Sequence, residues 1–220
     1  MALSLTLGFL PPVFLAILLQ EVSKGKIFYR LIYYLPAIIS GIIVIYLWKL
    51  LYDPSDAGGL NRILMSVGLP KSLWLKDESL AMLCVVLPSF WAGIGPGCLI
   101  YLAALKGIPD DLYEAADLDG AGFVNKIRHI VFPSLKSLLI LQFIAAFIAS
   151  AQQSDFILVM TFGGPNEATK VADLMIFEKA YLYLKFGIAT TMAWILGFML
   201  IGFTIIQLKK ISSMEFKTYK

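Results

Sequence analysis

Charge is scarce in this chain: Asp, Glu, Lys and Arg make up 15% of its 220 residues, beside one histidine and two cysteines. Each shortage excludes something. His129 stands alone without neighbouring thiols, so no metal site can be assembled around it. Cys84 and Cys98 fall in one apolar run, where the intervening helix would hold them ~21 Å apart, out of reach of a disulfide. No Gly-x-x-x-x-Gly-Lys-Ser/Thr loop occurs, so the phosphate cradle of an ATPase is missing. The net charge is only +3 and the basic residues form no stripe with interleaved aromatics, which argues against nucleic acid as a partner. Asp110, Asp111, Glu114, Asp117 and Asp119 crowd into one short loop with no convergent pocket, so they read as helix-end charges and partner contacts, not as an acid–base pair. The first twenty residues lack a basic start and a cleavage site and contain Pro11-Pro12, which marks a retained helix, not a signal peptide.

What the chain has in abundance is apolar surface, at 59% of residues and a mean hydropathy of +0.81. Five runs, at about 3–20, 31–52, 80–105, 134–160 and 186–208, are long enough to cross roughly 30 Å of hydrocarbon as helices. The expectation is an all-α polytopic membrane bundle of five transmembrane helices, forming one domain over residues 1–220. Basic residues near span ends set the orientation. One side carries eleven (Lys24, Lys26, Arg30, Lys106, Lys126, Arg128, Lys136, Lys209, Lys210, Lys217 and Lys220), the other six (Arg62, Lys71, Lys76, Lys170, Lys179 and Lys185). That bias places the 106–133 loop and the C-terminus in the cytoplasm and the N-terminus outside. An external N-terminus with no preceding helix to deliver it suggests a span missing ahead of residue 1.

The spans carry unusual punctuation. Pro88 and the stretch Trp91-Ala92-Gly93-Ile94-Gly95-Pro96-Gly97 interrupt the third, and freed backbone there has to face protein or water; close packing through small residues explains the glycines equally well. Ser150, Gln152 and Gln153 bring polar side chains into the fourth, where unpaired amides are costly. Such groups either line a solute path or bond between helices.

The connection from Lys106 to Pro133 is the most informative segment. Pro109 can open a helix, Asp110 and Asp111 complement its dipole, and Gly120 can close it in a left-handed conformation. A second short helix is expected from about Gly122 to Ile130, with Pro133 starting the next span. The pattern predicts two short helices at an angle, a knob that either fits another protein or lies as an amphipathic pair on the membrane surface.

Glu114-Ala115-Ala116, Gly120 and Ile130-Val131-Phe132-Pro133 resemble the coupling loop of ABC importer permeases, a Glu-Ala-Ala, three residues, Gly, nine residues, Ile-x-Leu-Pro pattern, with Phe132 in place of leucine. Thr161-Phe162-Gly163-Gly164-Pro165 is similar to an external motif of maltose-type and glycerol-phosphate-type permeases, and weaker similarity extends over almost the whole chain. Members usually have one more helix before the segment that opens here.

The resemblance implies a type I importer permease in a bacterial cell membrane. It would be a transport subunit and not an enzyme, and would form half of the pathway for a sugar. Implied partners are a second permease, an external solute-binding protein and a cytoplasmic ATPase dimer, which would hold ATP and magnesium; no cofactor is expected in this chain. Glu114 would pair with a basic group of the ATPase, Ala115 and Ala116 would allow close packing, Gly120 would make the turn, and Ile130 and Pro133 would join the loop to the fourth span. Trp91, Gly93, Ser150, Gln152 and Gln153 are the residues the resemblance places along the sugar path. Alternatives are a permease of the same superfamily for a non-sugar solute, and a truncated inactive copy.

Overall fold

Lipid offers a backbone no hydrogen-bond partners, and the chain folds accordingly into helices: among the described residues there is no strand. The structure, a computed structural model, describes residues 2–22, 25–152 and 154–218. In chain order the helices are α1 (Ala2–Glu21), α2 (Lys26–Ile38), α3 (Gly41–Leu51), α4 (Gly59–Ser66), α5 (Glu78–Leu105), α6 (Asp110–Leu118), α7 (Phe123–Lys126), α8 (Phe132–Ala151), α9 (Asp155–Met160), α10 (Ala172–Phe177) and α11 (Phe186–Thr218).

Three helical stretches among the described residues are long and apolar enough to cross a membrane: Glu78–Leu105, Phe123–Met160 and Phe186–Lys209. The stretch Ser4–Gln20 is apolar but shorter. The run expected as one span over 31–52 is not a single helix. It breaks between Ile38 and Gly41, and the two halves meet at 95°. Pro36 removes a backbone donor one turn before the break, Ile39 and Ser40 are extended, and Gly41 opens the new helix.

A second correction concerns the stretch after Gly120. No separate helix ends at Ile130; α7 runs through a π turn at Ile127–Val131 straight into α8. Pro133 therefore lies within a continuous helix and starts nothing. Its ring removes one N–H and crowds the turn before it, and the wider turn accommodates this: Phe132 N–H reaches back to Ile127 O, five residues away.

The long helix α5 is the axis of the bundle. Asp77 caps it by accepting from the Ser79 N–H at 2.8 Å and the Ser79 hydroxyl at 2.6 Å. Two separate cores form along it. At the α6 end, Val13, Ala16 and Ile17 of α1 meet Cys98, Tyr101, Leu102 and Leu105 of α5 and Leu135 of α8. At the far end, Ile45 of α3 and Tyr52 meet Cys84 and Val85 of α5, Ile157 and Met160 of α9, and Leu174 of α10. Small residues let the helices close up: a methyl group on Gly97 would come within 3.0 Å of the Pro12 ring.

The far end is finished by a polar node. Asn61 is fully buried; its carbonyl accepts from Trp74 Nε1 at 2.8 Å and Ser72 N at 3.1 Å, and its amide donates to Ser72 O at 3.1 Å. Helix α11 packs through Phe203, stacked 3.7 Å from Phe147 of α8. Among its exposed side chains are Trp194, Ile195, Phe198 and Met199. Apolar exposure of that kind is the ordinary state of a helix face turned to lipid.

Candidate functional site

A pocket of about 170 Å³ lies between the two cores, where α1, α5 and α8 face one another. Ser4 and Gly8 come from α1, Ser89, Phe90 and Gly93 from α5, and Ala146, Ala149 and Ser150 from α8. The Ser89 hydroxyl donates to Val86 O and the Ser150 hydroxyl to Phe147 O, each at 2.8 Å. With their protons spent on the backbone, both oxygens keep lone pairs for a solute that brings its own donors. A methyl group added at Gly93 would meet nothing within 4 Å, so the missing side chain leaves open space.

Of the residues that sequence marks for a solute path, the fold brings Gly93 and Ser150 together here. Trp91 points elsewhere. Its ring packs edge-on against Trp48 at 6.0 Å, and the contacts continue from Trp48 to Tyr52 and from Tyr52 to Trp74. Gln152 is exposed at the end of α8, and Gln153 lies outside the described residues. The pocket residues that sequence reasoning missed are Ser4, Gly8, Val86, Ser89, Phe90, Ala146 and Ala149. Ser4–Gly8 and Ser89–Gly93 are each four apart, a spacing that puts both members on one helix face and was there to be read.

At the α6 end stands a short projecting arm. Pro109 caps α6, Asp110 and Asp111 occupy its first turn, and Gly120 ends it with φ +72°. Ala121 N–H bonds to Ala116 O at 2.9 Å and Gly120 N–H to Asp117 O at 3.1 Å, the two bonds of a Schellman closure. The Lys126 ammonium lies 2.5 Å from the Asp117 carboxylate and ties α6 to α7. Glu114 is exposed and has no hydrogen-bond or ion-pair partner among the described residues; Ala115 is exposed and Ala116 half-buried. Leu118 is 91% exposed. Ile130 packs on the core at this end, while Pro133 sits exposed in the continuous helix.

The far end carries an ordered turn at Thr161-Phe162-Gly163-Gly164-Pro165. The buried Thr169 hydroxyl donates to Gly164 O at 2.9 Å and lies 2.7 Å from the Thr161 hydroxyl. Gly163 takes φ +86°, and Phe162 is left 49% exposed. Lys49, the one charged side chain in α3, donates to Val159 O at 3.0 Å and so ties α3 to α9.

Residues 1–208 match the family described as binding-protein-dependent transport system inner membrane component. The chain belongs to that family. As an inner-membrane component of such a system it is 31% identical over 199 residues to a probable ABC transporter permease, YurN, of Bacillus subtilis, a match covering 89% of this chain and 68% of that one. It is 34% identical over 194 residues to the trehalose/maltose transport system permease MalF of Thermococcus litoralis, covering 88% of this chain and 65% of the relative. Among solved structures, a chain of a bacterial ABC transporter involved in import of the acidic polysaccharide alginate superposes with a TM-score of 0.90 at 25% identity, over 96% of this chain and 75% of that one. The bacterial alginate transporter has also been solved in complex with an alginate pentasaccharide-bound periplasmic protein. This inner-membrane component therefore has the fold of an ABC importer permease, with the α6 arm at one end and the pocket at mid-bundle.

Proposed function

We propose that this chain forms half of the translocation pathway for a sugar in a bacterial cell membrane. It works beside a second permease, receives solute from an external binding protein, and is driven by a cytoplasmic ATPase dimer that binds ATP and magnesium. The observation that carries the reading is the α6 arm: a nine-residue helix whose acidic residue Glu114 and apolar residue Leu118 both face solvent unpaired. A charge and a leucine left in that state on a folded surface suit a protein partner that supplies a cation and an apolar cleft.

The sugar assignment rests on the pocket. Its lining of serine hydroxyls, small apolar groups and the Phe90 ring suits a neutral polyhydroxylated solute, which donates to Ser89 and Ser150 and lays a C–H face on the ring. Closure of the ATPase dimer on ATP moves the arm, and the arm moves the helices that wall the pocket. The excess of basic residues on the α6 side supports a cytoplasmic arm.

Co-expression with the second permease and the ATPase tests this directly. Glu114→Lys is expected to release the ATPase from the purified complex and to cut uptake of labelled sugar about tenfold, the loss of roughly 1.4 kcal/mol of docking. Full ATPase retention and full uptake by that variant would refute the role assigned to the arm.

A further inference from the structure

The arm must hand its motion to the bundle somewhere, and its own contacts narrow the choice. Every residue of α6 is exposed except Tyr113 and Ala116. Ala116 has only a methyl group to offer. Tyr113 is thus the one large side chain of α6 that reaches inward, and its ring packs on the core built by α1, α5 and α8, the cluster that contains Leu105, Ile108, Val131 and Leu135. The ion pair that ties the arm to α7, Asp117 to Lys126, is solvent-accessible, and such a pair holds geometry weakly. The Tyr113 Oη is buried and has no hydrogen-bond partner among the described residues.

We propose that Tyr113 is the positioning residue that transmits movement of the α6 arm to the helices around the Ser89–Ser150 pocket, as distinct from the residues that dock the arm on its motor. The proposal rests on the assignment of α6 to an ATPase-coupling role. A rigid aromatic ring packed against this core carries displacement in the way packed interiors do, as a shift of neighbours and not as a soft deformation. The exposed face of α6 makes the external contact, and Tyr113 on the opposite side makes the internal one.

The test uses the assembled complex of this chain, the second permease and the ATPase in proteoliposomes, with ATP and magnesium as the probe. Ser150→Cys places a thiol in the pocket, while the native Cys84 and Cys98 are each only 2% exposed and give a low background. Adding ATP is expected to change the rate at which a small methanethiosulfonate labels that thiol by about fivefold or more, the size of a typical inter-site coupling. With Tyr113→Ala the ATPase still co-purifies and still hydrolyses ATP, but the nucleotide no longer changes the labelling rate. Tyr113→Leu, which fills more of the socket, gives the same loss if the alanine variant does not assemble, and Tyr113→Phe keeps the full response. An undiminished ATP response in the alanine or leucine variant overturns the proposal, and so does loss of ATPase co-purification in both variants, which would make Tyr113 a docking residue. A drop in melting temperature of the complex that accounts for the lost response overturns it as well. If the ATPase fails to co-purify even with Tyr113 in place, the coupling role of α6 itself has failed, a result distinct from any of these.

Discussion

Gly95 of α5 faces the backbone carbonyl of Tyr33 in α2 so closely that a methyl group at Gly95 would overlap it. The Tyr34 Cα lies 3.2 Å from the same point, so the obstruction is main chain on both counts and has no flexible end to yield. Gly95→Ala is therefore expected to push α2 off α5, at a cost of about 1–3 kcal/mol, and to lower the melting temperature of the detergent-solubilised protein. An unchanged melting curve would mean the helices do not approach as described.

Gly93, two residues earlier, makes the opposite prediction. Space around it is open, so Gly93→Val should leave folding nearly intact while its side chain enters the pocket. Uptake is the measurement. The expected outcome is a KM for sugar raised about tenfold with the ATPase still bound, the signature of lost solute binding without lost coupling.

Asn61→Ala should damage the far end and spare the α6 end. The substitution strips the acceptor from Trp74 Nε1 and Ser72 N inside a fully buried site, which costs about 2 kcal/mol or more. Limited proteolysis checks it: cleavage between α3 and α5 is expected to accelerate, while the loop around Gly120 is cut at its usual rate.

Asp77 gives a pH-dependent prediction. The Ser79 hydroxyl first, and the Ser79 N–H second, hold its carboxyl below the usual carboxylate range. A group whose folded value lies below its unfolded value stabilises the fold at and above the usual carboxylate range, and that contribution disappears as the pH falls through the folded value. Melting temperature measured from neutral to acid pH should accordingly fall less steeply in Asp77→Ala than in the parent, with the variant the less stable of the two at neutral pH.

Much of this arrangement was legible in the sequence, and the exceptions have physical causes. The run 80–105 became α5 at Glu78–Leu105 because length, hydropathy and an Asp-x-Ser cap all agree. Gly120 turns left-handed because glycine is the residue best able to do so at the end of a helix. The break at Ile39–Ser40 was hidden inside a long apolar run, where hydropathy measures burial and is blind to direction; Pro36 and the Ser40-Gly41 pair were the warnings. Phe90, and not Trp91, reached the pocket because one residue along a helix turns the side chain by about 100°. Proline at 133 looked like a beginning because proline favours first turns, and the sequence has no marker for the π turn that let the helix pass through it.

That wider turn at Ile127–Val131 has a geometrical result. Opening one turn of a helix by a residue sets everything beyond it back by about 100° around the axis relative to an unbroken helix. A helical wheel drawn without interruption from Phe123 would therefore assign Ser150 to the wrong azimuth. Counting restarted after Val131 puts it toward α1 and α5, and the hydroxyl's aim is set by a local loosening some twenty residues upstream.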